Sequence, residues 1–261
     1  MTSQLLLGAF LAVVVAAGSY AFRLLTLGGS LAALLLGIIV FGLGGWQWAV
    51  PMLTFFLLSS LLSEYGRSRK EQFDTLFDKS YTRDWAQVAS NGSLAGVMIL
   101  LSTLYPTFDF YPIYLGSLAA VTADTWGTEI GVLTKGGTVS VLSMQTVPPG
   151  TSGGMSGQGT LAGLIGALVI AFSGFAWYSD LKTAIIVVLA GVAGSLGDSV
   201  LGATLQVQYR CDICGKQTER KTHCGRQTTQ VAGVARINND VINLICSVVG
   251  ALSAWALLLV V

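Results

Sequence analysis

The stretch Ala119-Ala-Val-Thr-Ala-Asp-Thr-Trp-Gly-Thr-Glu-Ile-Gly131 carries two carboxylates, Asp124 and Glu129, at the end of a segment long enough to cross a membrane. A third carboxylate, Asp198, lies in a second segment of this kind, Gly194-Ser-Leu-Gly-Asp-Ser-Val-Leu-Gly202. An ionisable side chain within hydrocarbon is costly, so carboxylates in such segments indicate a functional site. These three carboxylates are therefore candidate site residues at the membrane.

The composition predicts an all-α, polytopic integral membrane protein. Hydrophobic residues form 53% of the 261-residue chain and charged residues only 10%, and apolar stretches of about 20 residues recur. We predict one membrane domain over residues 1–261. About eight spans are expected, at roughly 4–21, 27–44, 48–63, 86–105, 112–131, 159–177, 183–203 and 241–260. No basic region precedes the first span, which favours a retained helix over a cleaved signal peptide.

The basic residues predict the orientation of these spans. With eight spans, the loops at 64–85, 132–158 and 204–240 lie on one side of the membrane, together with the short connection at 22–26. All of the 14 Lys and Arg residues except Lys182 then fall on that side. The positive-inside rule makes it cytoplasmic and places both termini outside. Because Asp124, Glu129 and Asp198 lie near the same side, the predicted site faces the compartment that contains nucleotides.

A divalent cation is the natural partner of Asp124, Glu129 and Asp198. Mg²⁺ is usually held by one or two carboxylates together with substrate phosphates, so we predict that all three acids are catalytic metal ligands. Residues five apart on a regular helix are turned by roughly 140°. Asp124 and Glu129 can then share a metal only if the helix unwinds near Gly127, or they face different parts of one ligand. The alternative is that these polar residues only pack or cap helices.

The Gly/Ser-rich segment Gln145-Thr-Val-Pro-Pro-Gly-Thr-Ser-Gly-Gly-Met-Ser-Gly-Gln-Gly-Thr160 follows the acidic span on the same side. Alone it is more typical of a flexible linker, but beside the acids it suits phosphate binding, since glycines let backbone N–H groups converge on an anion. It lacks a P-loop motif. The candidate phosphate contacts are Lys135, Thr151, Ser152, Gly153, Gly154 and Ser156. The 64–85 loop is mainly a connector, yet it adds the cations Lys70, Lys79 and Arg83, with Asn91 in the next span.

The single histidine, His223, lies outside the spans, which excludes serine–histidine or cysteine–histidine hydrolase chemistry in the membrane. A phosphate acceptor fits this absence. A monophosphate dianion is already nucleophilic near neutral pH and needs no general base, so charge neutralisation can suffice. The net charge of +1 gives no indication of a nucleic-acid partner.

A cysteine cluster occupies the last large loop. Cys211-Asp-Ile-Cys-Gly215 is followed by Thr222-His-Cys-Gly225, a pattern resembling a compact zinc knuckle with Cys211, Cys214, Cys224 and His223 as candidate ligands of a structural Zn²⁺. Adjacent His and Cys ligands strain one tetrahedron, which leaves the fourth ligand open. A reducing cytoplasm disfavours a disulfide.

Several long motifs, in order, resemble the transmembrane-protein-19-like family. They are Ser59-Ser60, Arg83-Asp-Trp-Ala-Gln-Val-Ala-Ser-Asn91, Asp124-Thr-Trp-Gly-Thr-Glu-Ile-Gly131, Pro149-Gly-Thr-Ser-Gly-Gly154, Asp198-Ser-Val-Leu-Gly-Ala-Thr-Leu-Gln206 and Asn238-Asn-Asp-Val-Ile-Asn243. Plant and cyanobacterial members of that family include the phytyl-phosphate kinase of tocopherol biosynthesis. The motifs bring Thr125, Thr128, Asn239 and Asn243 into the candidate nucleotide site, and the resemblance implies a bacterial inner or thylakoid-type membrane.

The Asp124 motif and the glycine-rich loop after it are more distantly similar to dolichol kinase and other CTP-dependent lipid kinases, which implies CTP as the donor. The resemblance thus implies a kinase that phosphorylates an isoprenyl monophosphate such as phytyl phosphate, in contact with nucleotide and membrane lipids. Two alternatives remain: a CTP-dependent lipid-phosphate cytidylyltransferase, and a cation-coupled membrane transporter, for which intramembrane acids are equally typical.

Overall fold

Eight helices form the body of the protein. The computed structural model describes residues 2–65, 82–133 and 137–260. The helices are α1 (Thr2–Ala21), α2 (Leu27–Gly37, continued as a π-helix over Ile38–Gly44), α3 (Trp46–Glu64), α4 (Trp85–Leu104), α5 (Tyr111–Gly131), α6 (Gly157–Tyr178), α7 (Leu181–Thr204) and α8 (Asn239–Val260). Lys70, Lys79 and Lys135, predicted as phosphate-binding cations, lie outside the described residues.

The helices coincide with the eight predicted spans, and the all-α membrane fold is confirmed. Seven of the described helices are long and apolar enough to cross a membrane; the eighth, α5, is the acidic one. Capping side chains fix several of the starts. Asp84 and Gln87 form a capping box before α4, and Ser156 accepts a hydrogen bond from the Gly159 amide at the start of α6.

Helix α5 is the central element of the bundle. Every residue from 111 to 123 is buried, and the helix packs against α3, α4, α6, α7 and α8. Its lower hydropathy follows from this position, because its neighbours are other helices rather than lipid. Small residues make the packing close: a Cβ added at Gly194 of α7 would collide with Ala120, and one at Gly250 of α8 would lie 2.5 Å from the Gly116 carbonyl oxygen.

Short antiparallel strands, which the sequence analysis did not predict, organise the two loops that follow α5 and α7. In the first loop β1 (Thr138–Ser140) lies between β2 (Thr146–Val147) and β3 (Gly154–Met155). The second loop contains β4 (Gln208–Arg210), β5 (Gln217–Thr218), β6 (Thr222–His223), β7 (Arg226–Gln227) and β8 (Thr229–Ala232); β4 lies between β5 and β8, and β6 pairs with β7. The glycine-rich segment is therefore part of a small sheet and not a linker.

Candidate active site

Asp124 of α5 and Asp198 of α7 form the centre of the site. Their carboxyl groups are close enough to share a hydrogen bond, and both line one cavity. They meet because α7 approaches α5 through glycines, so that Gly191 faces Ala119 and Gly194 faces Ala120. Among the described atoms, Asp198 Oδ2 is buried and has no hydrogen-bond partner. The pair thus offers at least one oxygen to a ligand.

This arrangement fits a divalent cation. Two carboxylates in contact away from bulk water repel each other unless a proton or a cation lies between them. Mg²⁺ takes oxygen ligands, and one or two carboxylates are its usual protein contribution. The unsatisfied Asp198 oxygen is the observation that supports this fit.

The glycine-rich loop also lines the cavity, through Gly150, Thr151, Ser152, Gly153, Gly154 and Ser156. Gly153 has a positive φ of 75°, and a Cβ there would lie 2.7 Å from the Ser199 carbonyl oxygen on α7. Glycine is required at this position for both reasons. The loop is thereby held against the helix that carries Asp198.

The first turn of α6 completes the wall, since Ser156, Gly159 and Thr160 all line the cavity. A helix N-terminus and a glycine-rich turn both present backbone N–H groups to an anion. The cavity encloses about 980 Å³ of empty space, part of it open to the surroundings. Its acidic side suits a metal, and its glycine-rich side suits phosphates.

Glu129 lies on a different face of α5 and does not line this cavity in the described structure. It accepts a hydrogen bond of 2.5 Å from Ser63 Oγ on α3. Helix α5 remains helical through Gly127, so the unwinding that would bring Glu129 to Asp124 does not occur. The predicted triad is therefore a pair, with Glu129 apart from it.

Some of the other predicted nucleotide contacts line the cavity of Asp124 and Asp198, and others lie elsewhere. Thr128 and Asn239 line the cavity with the two aspartates, whereas Thr125 and Asn243 do not appear among its described lining residues. The Thr125 hydroxyl donates instead to the backbone carbonyl of Val121. Arg83 and Asn91 line a second cavity.

Glu219 and Gln206 line the cavity but were not predicted as site residues. Glu219 Oε1 accepts hydrogen bonds from Gln206 Nε2 at 2.7 Å and from Ser152 Oγ at 3.3 Å. Gln206 is the last residue of the motif Asp198–Gln206, and its place in that motif could have indicated it as a site residue. Glu219 lies between the two halves of the cysteine cluster, and its contact with Ser152 spans 67 residues, so no local pattern indicates it.

The cysteine cluster comes together as predicted. One ligand atom from each of Cys211, Cys214, His223 and Cys224 lies within 4.8 Å of the others. Cys224 has a positive φ of 51° and Gly225 one of 74°. This left-handed turn between β6 and β7 lets the adjacent His223 and Cys224 face the same point, and His223 Nδ1 lies 3.2 Å from Cys224 Sγ.

The thiols of the cluster differ in acidity: desolvation raises the pKa of Cys224 to about 11, whereas Cys211 is more acidic than an ordinary cysteine. A hydrogen bond from the backbone of Cys214 is the main cause that lowers the pKa of Cys211 to about 6. A thiolate is the form that binds a metal, and three sulfurs with one imidazole nitrogen match a structural Zn²⁺ site. The residues therefore fit zinc.

Comparison with known proteins gives a family and several relatives. The family model described as integral membrane protein DUF92 matches residues 10–251. The chain is 28% identical to Protein PGR of Arabidopsis thaliana over 93% of its own length and 92% of that protein. It is 28% identical to an uncharacterized membrane protein of Methanocaldococcus jannaschii, over 86% and 82% of the two chains. Protein VTE6, chloroplastic, of Arabidopsis thaliana is 25% identical, over 88% of this chain and 64% of that one. No solved structure matches the chain.

Proposed function

The chain belongs to the integral membrane protein DUF92 family, and on this premise we propose that it is a Mg²⁺-dependent isoprenyl-phosphate kinase. It transfers the γ-phosphate of CTP to a prenyl monophosphate such as phytyl phosphate, giving the diphosphate. The transmembrane-protein-19-like resemblance supports the acceptor, and the more distant similarity to dolichol kinase supports CTP.

The observation that carries the proposal is the contact between the Asp124 and Asp198 carboxyl groups in the cavity that the glycine-rich loop at Gly150–Gly154 also lines. A polyphosphate needs a cation on one side and N–H or O–H donors on the other. When bound, Mg²⁺ would neutralise charge on the transferring phosphoryl group. Asp124 and Asp198 would hold that cation.

The remaining residues would position the donor. Ser152 and Thr151 offer hydroxyls, and the first turn of α6 offers backbone N–H groups. An oxygen of the acceptor phosphate forms a bond to the γ-phosphorus, and the bond from that phosphorus to the β–γ bridging oxygen breaks, which releases CDP. The acceptor dianion supplies its own electron pair, so no general base is required.

The positive-inside rule supports a cytoplasmic location for this site. The cavity, the glycine-rich loop and the loop with the cysteine cluster all lie at the end of the bundle where α5 and α7 finish, and these two loops carry most of the basic residues that the described part of the chain contains. A bacterial inner or thylakoid-type membrane is the proposed location. We further propose that Cys211, Cys214, His223 and Cys224 hold a structural Zn²⁺ that stabilises the 204–240 loop.

The test is an assay of the purified protein with Mg²⁺, each of CTP, ATP, GTP and UTP, and phytyl, geranylgeranyl or farnesyl phosphate. Prenyl diphosphate and CDP in equal amounts are expected, with CTP preferred. Release of pyrophosphate with a cytidylated lipid would instead identify a cytidylyltransferase. No product from any pair, in protein that binds Mg²⁺ and nucleotide, would contradict kinase activity.

A further inference from the structure

A second cavity lies among α1, α2, α3 and α4. Its walls are mainly apolar, formed by side chains that include Val15, Leu36, Val40, Phe41, Met52 and Phe55. It contains about 660 Å³ of empty space, part of which is open to the surroundings, so a ligand could enter it from outside the bundle. Its described lining shares no residue with the cavity of Asp124 and Asp198.

One end of this apolar cavity carries a buried arginine. Arg83 is 8% exposed, and its guanidinium carbon lies 5.6 Å from the centre of the Phe55 ring. The backbone is fixed from both sides, since Arg83 N donates to the Leu24 carbonyl oxygen at 3.0 Å and Arg83 O accepts from Thr26 N at 3.0 Å. Gln87 and Asn91 also line the cavity, and their four-residue spacing places them on one face of α4.

The Arg83 guanidinium can bind an acidic ligand in addition to its electrostatic interaction with Glu129. Burial lowers its pKa, and the nearby Glu129 carboxylate opposes that effect. Within the described part of the chain, no side chain accepts a hydrogen bond from the guanidinium. A guanidinium has five N–H donors in a planar fork that matches phosphate oxygens. The neutral amides of Gln87 and Asn91 can add donors to the same anion.

The Arg83 side of the second cavity lies near the end of α5 that lines the first cavity. Asp124 and Thr128 line the first cavity, while Glu129, on another face of that helix, interacts with Arg83 of the second. A phosphate at Arg83 would therefore lie at the end of the bundle that holds the proposed donor phosphates. Its hydrocarbon chain would extend along the bundle, between α2, α3 and α4.

We propose that this second cavity is the acceptor-lipid site, in which Arg83, Gln87 and Asn91 hold the monophosphate and the apolar walls hold a single prenyl chain. The assignment rests on the proposed kinase function for its role in catalysis. Binding of the lipid, however, can be measured without nucleotide and without turnover. Arg83 thus belongs to the acceptor and not to the nucleotide.

The test is photo-crosslinking of the purified full chain by a diazirine-bearing farnesyl monophosphate, without nucleotide, with adducts mapped by mass spectrometry. Adducts are expected on α2, α3 and α4, and Arg83→Gln should reduce them by about tenfold, because hydrogen bonds from the charged donor are lost. Arg23→Gln is the matched control, because Arg23 is exposed and lies in the α1–α2 connection that hydrogen-bonds the Arg83 backbone. Labelling of the Arg23→Gln variant should equal that of the parent protein. Met52→Trp fills the cavity without altering a charge and should also reduce labelling.

Two further labelling experiments test which chemical group the site recognises. The corresponding diazirine alcohol should label weakly and independently of Arg83, and phosphatidate should compete poorly with the prenyl monophosphate. Equal competition by phosphatidate would show a general anionic-lipid site and overturn the assignment. Adducts on α6 and α7 would also overturn it. So would labelling that neither Arg83→Gln nor Met52→Trp reduces. The expected labelling without kinase activity would contradict the proposed reaction but not this site. Kinase activity with labelling elsewhere would contradict this site alone.

Discussion

The carboxyl groups of Asp124 and Asp198 approach within hydrogen-bonding range of each other, although 74 positions separate them (198 − 124). They come from two helices that glycines allow into close contact. Bringing two acids together inside a membrane bundle is unfavourable unless a ligand uses them. This relationship leads to the first two predictions.

Asp124→Asn and Asp198→Asn should each reduce turnover by at least about 10²–10³-fold, because each removes half of the charge that holds the cation opposite the transferring phosphate. Both variants should also lose the rise in thermal midpoint that Mg²⁺ produces in the parent protein. Asp109→Asn is the matched control, since Asp109 is exposed at the other end of α5. Turnover near the parent level in both active-site variants would reject the site.

Glu129→Gln should behave differently from Asp124→Asn. Glu129 contacts Ser63 and lies near Arg83, so its neutral amide should lower the unfolding free energy by about 1 kcal/mol and leave Mg²⁺-dependent stabilisation intact. The measurement is thermal unfolding with and without Mg²⁺. If Glu129→Gln abolished the Mg²⁺ effect, Glu129 would be a metal ligand after all.

Gly153→Val should raise the nucleotide concentration needed for half-maximal rate without changing the preference among prenyl chains. The side chain would meet Ser199 and Ala203 of α7 at a positive φ, displacing the loop from the cavity at a cost of about 1–3 kcal/mol. Gly157→Ala is the control, because an added Cβ there meets no atom within 4 Å. A changed chain preference in Gly153→Val would assign the loop to the lipid site.

Replacement of Cys211, Cys214 and Cys224 by serine should remove bound zinc and lower the thermal midpoint by several degrees, yet leave measurable activity. The cluster lies outside the acidic cavity, and its loop reaches that cavity through Glu219. Elemental analysis and unfolding are the measurements. Cys246→Ala, at a buried position of α8 away from the cluster, should retain the zinc. A folded triple variant with no turnover would give the cluster a catalytic role.

The predicted orientation can be tested by labelling introduced cysteines with an impermeant reagent in sealed, right-side-out membranes. Residues 75 and 143 should react only after permeabilisation, and residue 107 should react without it, because the basic loops are expected inside. Ser143 and Thr107 are exposed, which makes both suitable. Residues 75 and 143 on opposite sides would contradict the eight-span arrangement.

The sequence predicted the helices because each is a long apolar run. It singled out Asp124, Asp198 and the four candidate zinc ligands because each stands in a distinctive local pattern, and the structure brings each group together. It did not predict β1–β3, since strands of two or three residues have no periodicity to detect. Glu129 was grouped with the aspartates by nearness in sequence, whereas the regular turn of α5 separates them. The Glu219–Ser152 contact depends on tertiary structure alone.

The close packing around α5 limits how the protein can move. Alternating-access transport places its site between two halves that rock apart, whereas α5 and α7, which carry Asp124 and Asp198, pack directly against each other. Glycine–alanine contacts such as Gly194 on Ala120 join these two helices closely, so moving Asp124 away from Asp198 would disrupt this packing. We therefore expect the acidic pair to keep its geometry when ligands bind and leave.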